Sequence, residues 1–310
     1  MSDSVLSTSE QIRSIWDMGG LSWRELSRRA WGGLNQNDLL NRAYELAYNF
    51  LLAVFPLLLF LVALLGAFAS TGGRLRDDLF FYFQQVLPPA AYSLMVNTLH
   101  EVTRGSSGGK LTFGLLFALY AGSGGMTQLI STLNAAYEVR EGRSWVTIRL
   151  ISIGLTITMS FLIIMALLLV LAGGSVLQYL GGMLRWSSAV LVLGKILQWG
   201  LALTFVVIAF ALIYYFAPDV KQRHWYWITP GSVIGVLLWA AASAALRAYL
   251  HFFNTYNKTY GSLGAVIILM LWFYITGLAF LVGGQLNSTI EHAAAEHGHP
   301  EAKAPGQKAA

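Results

Sequence analysis

The sequence predicts an all-α integral membrane protein: a bundle of six transmembrane helices, with an amphipathic N-terminal arm and extramembrane loop helices. Three observations predict it. Only 11% of the 310 residues are charged while 56% are hydrophobic, and a soluble domain carries roughly 25% charge. The 20 basic and 15 acidic residues fall almost wholly outside a set of long apolar stretches. Those stretches reach the roughly 20 residues that a helix rising about 1.5 Å per residue needs to cross a bilayer. Such a composition excludes a soluble enzyme and a disordered chain. The absence of cysteine removes disulfides, thiolate nucleophiles, Fe–S clusters and Cys-based zinc sites.

Residues 1–45 form the arm, polar and helical, with five Arg, six acidic residues and Trp16, Trp23 and Trp31. The apolar core of a signal peptide would come earlier, and the tryptophans suit a membrane interface. The membrane domain occupies 46–290. Its first span, 47–69, lies in a charge-free run of 28 residues from Leu46 to Gly73, with Asn49 near its entry and Pro56 as a kink. The stretch from Leu79 to Leu99 is also uncharged, but it contains Gln84, Gln85, Asn97 and the Pro88-Pro89 pair. Adjacent prolines break the helix ladder where lipid offers no substitute partner, so this stretch reads as an amphipathic extramembrane segment. The remaining spans are 112–136, 151–172, 196–216, 227–246 and 263–286, followed by a small, polar tail over 291–310 that reads as disordered.

With the N-terminus inside, twelve Lys and Arg lie on the cytoplasmic side and eight outside. The cytoplasmic loops are the short ones, where the positive-inside rule has force. Both termini are thereby expected in the cytoplasm.

Small and polar residues within spans mark the packed interior. The second span carries Ser123, Thr127, Ser131 and Ala135 on one row and Gly124, Gln128, Thr132 and Ala136 on the next, with Asn134 near its end. Interhelical hydrogen bonding and the lining of a polar cavity both fit such a face. Gly231 and Gly235 on the fifth span form a G-x-x-x-G, a close-packing signal. Ionisable groups inside spans are functional candidates by default, and the spans hold almost none: Lys195 and Arg247 sit at edges where they can snorkel. Glu45 and Glu138 are interfacial and within reach of the interior.

Several apparent motifs fail on inspection. Gly105 to Lys110 lacks both the first glycine and the Ser/Thr of a phosphate loop. Ala121-Gly-Ser-Gly-Gly125 lacks the first glycine of a nucleophile elbow and lies inside a span. The six histidines show no H-x-E or H-E-x-x-H spacing. No catalytic, metal-binding or cofactor-binding residues are assigned, and no basic stripe with interleaved aromatics points to nucleic acid.

Four segments carry a family resemblance: Ala47 to Pro56; Leu129 to Tyr137 with Arg143 and Trp145; Tyr214 to Pro218 leading to Thr229-Pro-Gly231 and Trp239; and Tyr256-Asn-Lys-Thr-Tyr-Gly-Ser-Leu-Gly264 with Leu271 to Tyr274 and Gly283-Gly-Gln-Leu-Asn287. Together they resemble the YihY/BrkB family of bacterial inner-membrane proteins. The resemblance implies a six-span envelope protein linked to serum resistance and envelope integrity, with export of lipids or glycolipids suggested for some members. It also implies a multi-pass inner-membrane location. The family once carried a ribonuclease BN label, and the chain has no nuclease-like His/Asp metal cluster to match it. Similar proteins usually have Glu where this chain has Gln285; Gln keeps the shape but cannot titrate.

The expected function is therefore that of a non-enzymatic transporter or flippase-like protein for an amphiphilic envelope component. Its partners are membrane lipids and that amphiphile. The alternative is a scaffold whose arm and outer loop recruit envelope-assembly proteins. Candidate cavity or gate residues are Asn49, Pro56, Gln128, Asn134, Tyr137, Tyr256, Tyr260, Gly261, Trp272, Gln285 and Asn287. The aromatic entry of Tyr256, Tyr260, Trp272 and Tyr274 into the last span suits either a lateral gate or ordinary interfacial anchoring.

Overall fold

A computed structural model describes residues 16–68, 116–184, 187–220, 229–252, 262–298 and 302–308. The described regular structure is helical throughout. After a 3-10 turn at Met18–Gly20 come α1 (Trp23–Gln36), α2 (Leu39–Phe68), α3 (Gly124–Ala136), α4 (Trp145–Leu184), α5 (Ser188–Phe216), α6 (Pro230–Phe252) and α7 (Ser262–Glu296). Residues 116–122 are helical too and lead into α3 through Ser123.

The arm folds as its sequence directs. Ser22 caps α1, its hydroxyl accepting from the Glu25 amide at 3.3 Å, and Glu25 places negative charge in the first turn, where the helix dipole favours it. Leu26, Ala30, Gly33 and Leu34 are buried along one stripe, while Trp23 and Trp31 stay 59% and 63% exposed on the other. The stripe seats on the far end of α7: Leu21, Leu26 and Ala30 share a core with Leu286, Ile290 and Ala293. Gly19, at φ 63°, lets the 3-10 turn lie against α7, since a Cβ there would stand 2.5 Å from the Ile290 carbonyl oxygen.

α7 is the hub. It packs against α1, α2, α3, α6 and the 3-10 turn, and α4 packs chiefly against α5. Its glycines make the approaches possible. Gly277 faces Leu46 of α2 and Gly284 faces Leu133 of α3, where a Cβ would stand 3.2 and 2.7 Å away. Gly283 meets Gly231 of α6, with the Gly231 carbonyl oxygen 2.5 Å from where a Cβ would lie. The G-x-x-x-G of Gly231 and Gly235 is thus spent inside the protomer, on α7. Tyr214 of α5, 1% exposed, closes the centre. Its hydroxyl donates to the Phe280 carbonyl at 2.9 Å, and its ring meets Phe210 and Phe280 edge-on, those two being stacked at 4.0 Å.

Four helical stretches among the described residues are long and apolar enough to cross a membrane: Trp145–Val170, Ser188–Phe216, Pro230–Leu250 and Val266–Glu296. The expected spans 151–172, 196–216, 227–246 and 263–286 fall on them. The expected 47–69 falls on α2, a 30-residue helix that carries Pro56 inside it. The expected 112–136 falls on residues 116–122 and α3, whose 13 residues measure about 20 Å, short of a 30 Å hydrocarbon core. Neither is among the four, so four of the six expected spans are met among the described helices.

Three boundaries differ from expectation. α4 runs unbroken for 40 residues, about 60 Å, well past 172. α5 begins at Ser188, which puts Lys195 within the helix and not at its edge. α7 continues to Glu296, beyond the expected start of the tail at 291, and residues 302–308 return to the bundle, with Lys303 buried against Glu291. The α4–α5 extension is cemented by Gln198, whose Nε2 donates to the Leu169 carbonyl at 2.8 Å, and by Gly181 and Gly194 set against Leu191 and Leu177. The amphipathic reading of Leu79 to Leu99 lies outside the described residues.

Candidate functional site

The sequence-predicted site residues separate into distinct places. Tyr256, Tyr260 and Gly261 lie outside the described residues. Trp272 donates through Nε1 to the Ser243 hydroxyl at 3.2 Å, joining α7 to α6, and Pro56 sits mid-helix in α2.

Gln285, Asn287 and Tyr137 meet at the α7 crossing. Asn287 Oδ1 accepts from the Gly231 amide at 2.9 Å and its Nδ2 donates to Thr229 Oγ1 at 3.0 Å, which caps α6 from α7. Gln285, buried at 3% exposure, accepts at Oε1 from Asn37 Nδ2 at 3.4 Å and donates to Thr289 Oγ1 at 3.4 Å. The same Asn37 amide donates to Glu138 at 3.2 Å. Tyr137 is buried beside Asn287. Glu138 holds a left-handed φ of 56° at the end of α3, a conformation usually left to Gly or Asn. This cluster is a polar seam between packed helices.

Asn134 belongs to a neighbouring network in the α3–α4 loop. Its Nδ2 donates to Glu141 at 2.8 Å and its Oδ1 accepts from the Asp219 amide at 2.7 Å. Arg143 grips Glu141 with two nitrogens at 2.8 and 2.7 Å and reaches the Ala217 carbonyl at 2.8 Å, tying the loop to the end of α5. Burial raises the Glu141 carboxyl, but the Arg143 side-chain and backbone donors and Asn134 outweigh it and bring its pKa down to about 2. Lys308 closes the network on Asp219.

Gln128 is elsewhere. Gly124, Thr127, Gln128 and Ser131 lie at i, i+3, i+4 and i+7 on one face of α3, and all four are at least partly exposed, unlike the buried Gly125, Leu129, Thr132 and Leu133. A Cβ at Gly124 would meet nothing within 4 Å. On the α2 flank, Gln128 Nε2 donates to Glu45 Oε2 at 3.1 Å, and Asn49 donates to the Glu45 carbonyl at 2.8 Å. On the α4 flank, Thr127 donates to Ser152 at 2.9 Å. Arg149 reaches Thr127 Oγ1 at 3.4 Å, donates to the Tyr120 carbonyl, and lays its guanidinium 3.6 Å over the Tyr120 ring. Its Nε is buried without a partner. This open polar strip with one acid and one base at its flanks is the candidate site.

The predicted polar face of α3 is thus divided. Ser123 and Thr132 are buried and bond to carbonyls of their own helix, so part of the face serves packing. Arg149 was missed from sequence. It stands 22 residues from Thr127, and only the closing of the α3–α4 hairpin brings them together; a lone basic residue near the start of a span is the signal that was there to follow. Among the described residues no group of three or more His, Cys, Asp or Glu side chains could hold a metal ion.

Comparison with known proteins places this architecture. The chain is 34% identical over 250 residues to the putative ribonuclease-like protein YfkH of Bacillus subtilis, covering 81% of this chain and 89% of that one. It is 26% identical to a UPF0761 membrane protein of Tolumonas auensis, covering 86% and 85%. It is 29% identical to another of Chromohalobacter salexigens, covering 86% of this chain but 62% of the longer relative. No solved structure matches. The Virulence factor BrkB family matches residues 30–307, nearly the whole of the membrane bundle and the seam that holds it, and the chain is a membrane protein belonging to that family.

Proposed function

We propose that this protein carries an amphiphilic envelope component, a lipid or glycolipid, across the bacterial inner membrane. In this reading six helices span the bilayer, α2 and the 116–136 segment joining the four apolar stretches, and both termini face the cytoplasm. It acts in envelope integrity by transport and not by catalysis.

One observation carries the reading: the Gly124-Thr127-Gln128-Ser131 strip is polar along one helix face, open beside Gly124, and flanked by Glu45 and Arg149. Lipid-facing polarity of this kind is costly, and a headgroup passing along it would be solvated by the strip while its chains stay in lipid. The test is translocation of a fluorescent phospholipid in vesicles reconstituted with the full chain, read by dithionite quenching of the outer leaflet. The wild type accelerates exchange and Gln128→Leu returns it to the rate of protein-free vesicles. Equal exchange with and without the wild-type protein contradicts the reading.

A scaffold reading draws on the exposed Trp23 and Trp31 of α1. Changing both to Gln leaves the buried stripe of α1 intact. Loss of envelope function with lipid exchange unchanged would favour recruitment of partners over transport.

A further inference from the structure

The two flanks of the strip carry opposite charges, and neither is neutralised by a described residue. Glu45 accepts from the neutral Gln128 amide and makes no ion pair among the described residues. Arg149 bonds a carbonyl and a hydroxyl and stacks on Tyr120; it too makes no ion pair among them, and its buried Nε has no partner. The residues they touch, Thr127 and Gln128, are neighbours in the chain and sit about 100° apart on α3. An acid and a base on the two sides of one helix face within a membrane bundle commonly pair, because unpaired charge there is costly. Here they are held apart, one on α2 and one on α4, with free space one turn away at Gly124.

We propose that the strip binds a zwitterionic headgroup, its phosphate on Arg149 and its ammonium on Glu45. This rests on the amphiphile reading of the strip and adds its headgroup class. The guanidinium is suited to the phosphate because it is a permanent cation whose terminal N–H groups are held in place by Thr127 and the Tyr120 carbonyl, leaving their remaining hydrogens for anionic oxygens. A carboxylate with one oxygen engaged by Gln128 keeps the other for an ammonium N–H. A headgroup with phosphate alone leaves Glu45 facing a net anion. The source is a lipid: Tyr48, Leu52 and Phe117 are exposed on the adjoining helices and give acyl chains an apolar wall. Eight residues separate Gln128 from the end of α3 at Ala136, about 12 Å of helix.

The test is calorimetric binding to the detergent-solubilised full chain of dihexanoyl phosphatidylethanolamine, dihexanoyl phosphatidylglycerol and free phosphoethanolamine. The wild type binds the ethanolamine lipid about tenfold more tightly than the glycerol lipid, the worth of one charge-assisted hydrogen bond. Free phosphoethanolamine binds more weakly than its lipid. Glu45→Gln, which keeps an acceptor for Gln128, erases the preference by weakening the ethanolamine lipid alone. Arg149→Lys, which keeps the charge but loses the guanidinium, weakens both lipids. Equal or tighter binding of the glycerol lipid by the wild type overturns the proposal without recourse to any variant, as does a preference that survives Glu45→Gln. Free phosphoethanolamine binding as well as the lipid overturns the lipid source. A preference without lipid exchange in vesicles would sink transport and keep the site; exchange without a preference would do the reverse.

Discussion

The seam around Gly283 to Asn287 and the strip from Gly124 to Ser131 are both polar and both on helices, yet they are built to opposite rules. In the seam each amide is engaged: Asn287 caps α6, Gln285 joins α1 and α7, and glycines bring backbones to touching distance. In the strip a glycine opens onto space, and Glu45 and Arg149 make no ion pair among the described residues. Polarity within a membrane bundle therefore does not announce its use; the completeness of its partners does. Changes in the seam should unfold the protein, and changes in the strip should silence it.

The largest effect is expected at the crossing itself. Gly283→Ala sets a methyl against the Gly231 carbonyl and the Tyr214 hydroxyl, neither of which can yield without moving a helix. A loss of about 3 kcal/mol or more is expected from overpacking, read as a drop in thermal unfolding temperature in detergent. An unchanged unfolding temperature would show that the α6–α7 approach is looser than described.

Breaking the loop network comes next. Arg143→Ala strands Glu141 and removes the tie to the Ala217 carbonyl, and about 2 kcal/mol is expected from losing charge-assisted bonds. Gln285→Glu places a second carboxyl on the Asn37 amide already shared with Glu138. Burial beside a like charge penalises a carboxylate there, so the variant should be less stable than wild type at pH 8. Melting temperatures of the two proteins check the sign.

Tyr214→Phe removes one buried hydroxyl and leaves the Phe280 carbonyl without its donor, a cost of about 1 kcal/mol. The pH dependence of the wild type itself is smaller. Glu141 is held at about 2, below its ordinary 4.5, so its contribution is complete above pH 4.5 and is lost as pH falls from there through 2. Asn134→Leu, which releases Glu141 from one donor, should narrow that acid-sensitive window.

Much of this was legible in the sequence. Apolar run length located the four spanning stretches, because crossing a bilayer imposes a minimum length that composition must satisfy. The G-x-x-x-G at Gly231 foretold a close helix contact, though its partner, Gly283, lay 52 positions on and only the fold could supply it. Gln128 and Asn134 looked alike as polar residues on one span. Six positions put them some 120° apart on a helix, so the wheel already separated what the residue types joined. The rest was not legible because it depends on closure: Arg149 meets Thr127, and Asn37 meets Gln285, only after hairpins and crossings form. The tail was read from its composition, and composition does not reveal that Lys303 and Lys308 find Glu291 and Asp219.

The division between fully partnered polar networks and the open strip is tested most directly by measuring lipid exchange and thermal unfolding together for Gln128→Leu and Asn134→Leu in the same vesicles and detergent. Gln128→Leu is predicted to lose exchange while unfolding within a degree or two of wild type, a surface change of under about 0.5 kcal/mol. Asn134→Leu is predicted to unfold several degrees lower, in keeping with about 1–3 kcal/mol for breaking a buried network, with exchange lost only in proportion to unfolded protein. Exchange that survives Gln128→Leu, or a stability loss there equal to that of Asn134→Leu, would contradict the account.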